Sequence, residues 1–303
     1  GRTALKDLSA GGGGVDYVMI DKHVVPPEHS PLFSEKLMLL PGTYQINDHS
    51  FKGQRCRKVA TESKLSVCNL NKLEKLGPES YRTWMNILRR IPNARLQLLE
   101  PPFSSITESQ LSNADFHSDE CDFASGHVGP KNNLRLEMAA AGIARDRVHF
   151  LPRADRETYM QHFCSCDLFL DTLRGYGAHT TAADALWMGV PVISLEGIDS
   201  ALIFVDNAAM ESLSALFAGP HFVSRVASSV SRGAGLSALV VHSLKEFENL
   251  AVDVLQSPHG LLRAVKDILR LSTTSGTAQL FASKTTAEHI QRGFSLAVNL
   301  RDL

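Results

Sequence analysis

One stretch, Asp167–Ser194, constrains the fold more than any other part of the chain. It reads DLFLDTLRGYGAHTTAADALWMGVPVIS, which predicts a short apolar strand, a glycine-bearing loop, a helix, a tight turn and a second strand. Gly189 ends the helix in the left-handed conformation that suits glycine, and Pro191 blocks further helix. A strand, a helix and a returning strand form the repeating unit of an α/β sheet.

The first helical turn of this stretch has the composition of a phosphate site. His179, Thr180 and Thr181 open the helix, and either threonine can cap it by accepting a backbone N–H. Asp184 follows one turn later on the same face, where an acidic group can accept ribose hydroxyls. The helix N-terminus favours an anion. The ordinary alternative stays open, because α/β proteins contain many such units and hydroxyls cap helices without binding a ligand.

From Leu65 onward, strands and helices alternate, and this order predicts a parallel doubly wound sheet. Pro78 suits the first turn of an amphipathic helix. Ser243 and Glu246 have the spacing of a capping box at the start of a later helix. In the preceding part of the chain we predict a strand and then a short helix, Leu32–Leu40, with leucines on one side.

We divide the chain into residues 1–63, residues 64–284 and a final helix over residues 285–303. Two polar stretches without periodicity, about residues 101–131 and 198–220, are interpreted as insertions. The first insertion contains several potential metal ligands: His117, Asp119, Glu120, Cys121 and Asp122. Their irregular spacing in a polar loop argues against a metal site there.

The composition excludes several classes of protein. The 303 residues include 31 basic and 32 acidic side chains, so no basic excess points to nucleic acid or an anionic membrane. The chain has no apolar run long enough for a transmembrane helix and no secretory signal pattern at its start. Five irregularly spaced cysteines predict a reducing intracellular compartment. We interpret Cys164 and Cys166 as core or neutral residues, not as a redox pair.

The chain resembles the catalytic region of the O-linked N-acetylglucosamine transferases and their SPINDLY relatives. Four stretches carry the resemblance, in the order of the family: Phe33–His49, Cys68–Leu99, Asp167–Ser194 and Phe222–Ala251. The resemblance implies a GT-B fold with two Rossmann-like lobes and the active site in the cleft between them. It implies that the carboxyl-terminal lobe is complete here, that the amino-terminal lobe is partial, and that the chain is a fragment of a larger enzyme with upstream tetratricopeptide repeats.

The resemblance also implies roles for residues at the diphosphate end of the site. Lys75 matches a family lysine that contacts the diphosphate of the donor. Thr180 and Thr181 match a hydroxyl pair at the diphosphate, and Asp184 matches the ribose acid. His179 matches a histidine near the sugar, and we expect it and Lys75 to act in catalysis. A solvated lysine and a structural histidine are the ordinary alternatives for these two residues.

At the base end, this sequence departs from the family pattern. Tyr159 stands where the family has a histidine against uracil, and a phenol ring can still stack on a base. Arg156 replaces a lysine and keeps its charge, whereas His162 replaces an arginine and Lys72 a glutamine. Ala154 matches a position whose backbone contacts the base. The identity of the donor is therefore less well defined than the fold.

The implied reaction transfers N-acetylglucosamine from its uridine diphosphate donor to serine or threonine hydroxyls of proteins in the cytoplasm and nucleus. It inverts the anomeric carbon in one displacement and uses no cofactor or metal, and no D-x-D-like pair stands out in a suitable loop. One alternative is protein O-fucosylation with a guanosine diphosphate donor. A second alternative, from a different class, is a non-catalytic nucleotide-binding or scaffold fragment. Neither nucleic acid nor a membrane is an expected partner.

Overall fold

The protein is described by a computed structural model over residues 15–45, 47–49, 55–56, 64–101, 130–173, 177–196 and 222–301. The strands of this part of the chain are β1 (Tyr17–Asp21), β2 (Lys36–Leu40), β3 (Leu65–Asn69), β4 (Ala94–Leu99), β5 (Val148–Leu151), β6 (Leu168–Leu170), β7 (Val192–Leu195) and β8 (Val240–Val241). Its α-helices are α1 (Pro78–Arg90), α2 (Pro130–Ala140), α3 (Arg156–His162), α4 (Thr180–Trp187), α5 (Val226–Gly233), α6 (Leu244–Gln256), α7 (Leu261–Thr274) and α8 (Ser283–Arg301).

The main sheet has the order β5-β4-β3-β6-β7-β8 among the described strands, and every neighbouring pair is parallel. From β3 the chain first adds β4 and β5 on one side. It then adds β6, β7 and β8 on the other side of β3. This is a doubly wound sheet, as the alternation of elements predicted. Its order changes direction between β3 and β6, and ligands of such sheets bind beyond the strand ends at this switch point.

The strands are apolar because helices cover the sheet on both faces. β6 is completely buried, and α1 buries a stripe that contains Trp84, Ile87 and Leu88. Helix α1 begins at Pro78 as predicted, and α6 begins after Ser243, whose hydroxyl accepts the backbone N–H of Glu246. Gly189 has the predicted left-handed conformation, with φ of 85°. These local signals were correct because each depends on only a few neighbouring residues.

A second, smaller sheet pairs β1 with β2 in parallel, and α8 packs on both strands. The predicted helix Leu32–Leu40 is therefore wrong. Its first residue, Leu32, is the last residue of a 3-10 helix, Pro27–Leu32, and its last five residues form strand β2. The short apolar run of β2 is compatible with either state, and pairing with β1 decides in favour of a strand.

The described cysteines are paired in two disulfides, Cys56–Cys164 and Cys68–Cys166. As predicted, Cys164 and Cys166 are not paired with each other and Cys166 lies in the core, but each forms a disulfide with a distant cysteine, which the sequence did not predict. Helix α3 ends at His162 and a 3-10 turn follows, so the two sulfurs reach different partners, which are 108 and 98 residues away in the chain. This pairing does not favour the reducing compartment that the odd number of cysteines predicted.

Several predictions concern residues outside the described ranges. Most of the two predicted insertions, including the potential metal ligands of the first, belongs to these residues. Within the described residues, none of the helices is both long and apolar enough to cross a membrane.

Candidate functional site

The ends of β3 and β6 are held together at the switch point of the main sheet. The Asn69 side chain, at the end of β3, donates to the carbonyl oxygen of Leu170 at 2.7 Å, and its oxygen accepts the backbone N–H of Asn71 at 3.1 Å. The Asn71 amide group is buried, and neither its nitrogen nor its oxygen has a hydrogen-bond partner among the described residues. A bound molecule or water can satisfy such buried groups.

A cavity of about 400 Å³ opens beside these strand ends. Its lining combines cations, an aromatic ring and a hydroxyl: Leu70, Lys72, Leu99, Arg153, Ala154, Arg156, Tyr159 and Thr181. Five of the predicted site residues, Lys72, Ala154, Arg156, Tyr159 and Thr181, therefore lie together although they come from three separate parts of the chain. A ring beside several cations suits a planar base joined to an anionic group.

Tyr159 is fixed in this cavity by the start of α3. The Asp155 carboxylate caps the helix by accepting the backbone N–H of Thr158 at 2.8 Å, and this bond lowers the pKa of Asp155. The Tyr159 ring packs edge-on against Phe163, and the Arg156 guanidinium lies 5.5 Å from its centre. Burial, with a smaller contribution from the Asp184 charge, raises the pKa of Tyr159 to about 12. The phenol is therefore neutral at physiological pH.

Lys75 ends a 3-10 turn that follows β3. Its ammonium donates to the carbonyl oxygen of Gly177 at 3.3 Å, so it crosses to the loop between β6 and α4. Burial lowers the pKa of Lys75, and the neighbouring Asp171 carboxylate acts in the opposite direction. A partly desolvated cation in this position is suited to compensate negative charge on a phosphate.

Asp171 follows β6 directly and is fully buried. One carboxylate oxygen accepts the backbone N–H of Ala178 at 2.7 Å, which closes the loop between β6 and α4. Burial raises the pKa of Asp171 to about 7. Sequence reasoning missed this residue as part of the site, although its position at the end of a parallel strand was a usable signal.

The N-terminus of α4 differs from the prediction. His179 takes the N-cap position without a side-chain capping bond, and the helix begins at Thr180, so the predicted threonine cap is wrong. The His179 Nε2 atom donates to the carbonyl oxygen of Val223 at 3.1 Å, and burial lowers the pKa of His179. Its ring is therefore neutral and held in place. Thr180 is exposed, whereas Thr181 lines the cavity.

Asp184 is almost fully buried one turn below this helix start. Its Oδ1 atom accepts Nη2 of Arg156 at 2.8 Å and lies 2.9 Å from Nε2 of His49. His49 was not predicted as part of this site, because no local pattern connects it to a residue 135 positions later. Asp184 thus links the segment that precedes the main sheet to a cation of the cavity.

His162, the remaining predicted site residue, does not line the cavity. Its Nε2 atom donates to the carbonyl oxygen of Pro152 at 3.1 Å, which supports the loop before α3. The predicted residues therefore fall into two groups. One group lines the cavity, and the other lies around Lys75 and His179. His162 belongs to neither group.

The sequence profile of glycosyl transferase family 41 matches residues 125–290 of this chain. A probable UDP-N-acetylglucosamine–peptide N-acetylglucosaminyltransferase of Arabidopsis thaliana, SEC, is 29% identical over 304 residues, which cover 96% of this chain and 26% of the relative. This chain thus spans about a quarter of that relative's length.

Solved structures agree with this relationship. A mutant of the Thermobaculum terrenum O-GlcNAc transferase superposes with a TM-score of 0.65 at 26% identity, over 92% of this chain and 44% of that one. Anabaena HepE, in complex with UDP and glucose, superposes with a TM-score of 0.53 at 12% identity, over 97% of this chain and 66% of that one. Both superpositions confirm the expected α/β fold of the GT-B type.

Proposed function

Since this chain belongs to glycosyl transferase family 41, we propose that it carries the nucleotide-sugar site of a protein O-N-acetylglucosamine transferase. The proposed reaction transfers N-acetylglucosamine from its uridine diphosphate donor to a serine or threonine hydroxyl of a protein. The enzyme inverts the anomeric carbon and uses no metal. The chain is a fragment of a larger enzyme.

One observation carries this proposal: a cavity with an aromatic ring and several cations lies near a half-buried lysine at the switch point of a doubly wound sheet. We assign the cavity between Tyr159 and Arg156 to the base, with Ala154 offering its backbone and Lys72 its charge. His162 supports this end of the site through its bond to Pro152. A nucleotide is the ligand that matches both a ring and neighbouring cations.

The diphosphate belongs at the junction of Lys75 and the start of α4. As the sugar–phosphate bond breaks, negative charge develops on the leaving diphosphate. The Lys75 ammonium, the hydroxyls of Thr180 and Thr181 and the free N–H groups of the helix start stabilise that charge. The Gly177 carbonyl oxygen already holds the Lys75 ammonium, so little reorganisation of this cation accompanies the reaction. His179 lies beside them and is assigned to the sugar.

Asp184 is assigned to the ribose, but its carboxylate is only 2% exposed. Its bond to Arg156 orients a cation of the cavity.

The resemblance supports further proposals about the larger protein. Its acceptors are proteins of the cytoplasm and nucleus, and upstream tetratricopeptide repeats bind them. In a reducing compartment, the disulfides Cys56–Cys164 and Cys68–Cys166 would be exposed to thiol reductants.

Titration of this chain with uridine diphosphate and guanosine diphosphate, in parallel and without metal, tests the proposal. A ligand that binds only the folded state raises the midpoint of thermal unfolding. At a hundredfold excess over its dissociation constant, it adds about 2.7 kcal/mol to the free energy of unfolding. We expect the uridine compound alone to do so. Stabilisation by guanosine diphosphate alone would instead favour the fucosyl transfer reaction, and no response to either from folded protein would favour a scaffold.

A further inference from the structure

The loop that joins β6 to the start of α4 is held from the strand side by Asp171. This residue directly follows β6 and is fixed in the sheet, because its backbone N–H donates to the carbonyl oxygen of Ile193 in β7 at 3.1 Å. Its carboxylate is buried, and Oδ1 accepts the backbone N–H of Ala178 at 2.7 Å. Ala178 is also completely buried, so its N–H needs an acceptor within the protein, and Asp171 supplies it.

The same segment is held from another direction by a single carbonyl oxygen. That oxygen, of Val223, accepts the backbone N–H of Gly177 at 3.3 Å and lies 3.1 Å from Nε2 of His179, which donates to it. Two bonds to one atom permit rotation of the segment about that atom. The additional bond to Asp171, which is anchored in the sheet, restricts this rotation.

One peptide group connects Asp171 to Lys75. The N–H of Ala178 and the carbonyl oxygen of Gly177 belong to the same peptide group, which is planar and trans, so its N–H and C=O point in opposite directions. The N–H meets Asp171, and the oxygen accepts a hydrogen bond from the Lys75 ammonium at 3.3 Å. Because Asp171 fixes the N–H, it also fixes the direction of the oxygen that holds Lys75.

We propose that Asp171 is a positioning residue of the nucleotide-sugar site, which orients the peptide group between Gly177 and Ala178 and thereby holds the Lys75 ammonium where the diphosphate binds. The proposal rests on the proposed function, because it takes uridine diphosphate as the ligand and Lys75 as its partner. Asp171 acts through Lys75 and does not itself touch the ligand. Its task requires a hydrogen-bond acceptor rather than a charge.

The test is calorimetric titration of the folded chain with uridine diphosphate. Asp171→Ala removes the acceptor, whereas Asp171→Asn keeps a carbonyl oxygen that can accept the Ala178 N–H from the same position. Asp171→Ala is made both alone and together with Lys75→Met. Asp253→Ala, a substitution on an exposed residue of α6, is the matched control.

We expect Asp171→Ala to weaken binding roughly tenfold, because a displaced Lys75 loses a charged hydrogen bond to the diphosphate. Asp171→Asn should stay within about threefold of the unsubstituted chain, since the acceptor remains. In the Lys75→Met background, Asp171→Ala should weaken binding less than about twofold, because substitutions that act through one interaction are not additive. A general loss of stability would not produce this coupling. Asp253→Ala should bind like the unsubstituted chain.

Several results would overturn the role of Asp171 alone. An equal loss of affinity in Asp171→Asn and Asp171→Ala would show that the charge, and not the acceptor, is required. Unchanged binding by Asp171→Ala, or the same loss with and without Lys75, would show that Asp171 does not act through Lys75. Absence of uridine diphosphate binding by the folded, unsubstituted chain would overturn the proposed function, and this proposal with it.

A second measurement applies if Asp171→Ala does not fold. Amide hydrogen exchange in the unsubstituted chain, without ligand, reports whether the Ala178 N–H is bonded before the nucleotide binds. Strong protection of this amide, together with nearly unchanged affinity in Asp171→Asn, would support the proposal. Exchange at the rate of an unbonded amide would contradict it.

Discussion

The Lys75 ammonium donates a hydrogen bond across 102 residues of sequence to the carbonyl oxygen of Gly177, at 3.3 Å. This contact joins the turn after β3 to the loop that leads into α4, and so it places a cation at the N-terminus of a helix. At Gly177 a Cβ atom would meet the carbonyl oxygen of Ser224 at 3.2 Å, so a residue without Cβ fits best against this backbone.

Lys75→Met should weaken binding of uridine diphosphate at least tenfold, because it removes a charged hydrogen bond to the diphosphate. In the larger enzyme, transfer should fall by a factor of roughly 10² to 10³, since the lost charge acts mainly on the leaving group. Calorimetry and a sugar-transfer assay measure the two effects. Lys245→Met, on the exposed face of α6, is the control and should change neither. Unchanged binding in Lys75→Met would refute the assignment.

Asp171→Asn should alter the pH dependence of stability. Burial raises the pKa of Asp171 to about 7 in the folded state, against about 3.9 when unfolded. Between these values the folded state retains a proton that the unfolded state has lost, so the contribution of Asp171 to stability is lost as pH rises from about 4 to about 7. Urea unfolding at pH 5 and pH 8 should show a smaller decline for Asp171→Asn. An equal decline in both proteins would contradict the raised pKa.

Tyr159→Ala should weaken uridine diphosphate binding roughly tenfold, because stacking of a base on an aromatic ring contributes about 1–3 kcal/mol. Tyr159→Phe keeps the ring and its edge contact with Phe163, and its affinity should be within about twofold of the unsubstituted chain. Calorimetric titration of the three proteins decides this. If Tyr159→Phe lost as much affinity as Tyr159→Ala, the hydroxyl rather than the ring would carry the interaction.

Reduction of the disulfides should destabilise the protein. Each bridge contributes about 2–4 kcal/mol, which corresponds to a midpoint lower by on the order of 5–10 °C. The half-buried Cys56–Cys164 should be reduced before the buried Cys68–Cys166, because thiol exchange requires access to sulfur. Thermal unfolding with and without dithiothreitol, combined with alkylation and mass spectrometry, measures both effects. Cys121→Ser should behave as the unsubstituted chain, and an unchanged midpoint after complete reduction would contradict the prediction.

The sequence by itself determined the features that arise from neighbouring residues. The alternation of strands and helices after Leu65, the helix start at Pro78, the Ser243 cap and the left-handed Gly189 all follow from a few consecutive side chains. The doubly wound order followed as well, because parallel strands joined by helices have few ways to pack. Most cavity residues were predicted from the family resemblance, which supplied the positions that local patterns do not mark.

Only the tertiary structure decided the features that depend on residues far apart in the chain. Strand β2 exists because β1 pairs with it, whereas its short apolar run is also compatible with a helix. Cys164 and Cys166 find their partners across about a hundred residues. The contact of His49 with Asp184 spans 135 residues and has no local signal. In each case the stabilising contacts are between groups that the fold brings together. The spacing of these residues along the sequence therefore does not predict the contacts.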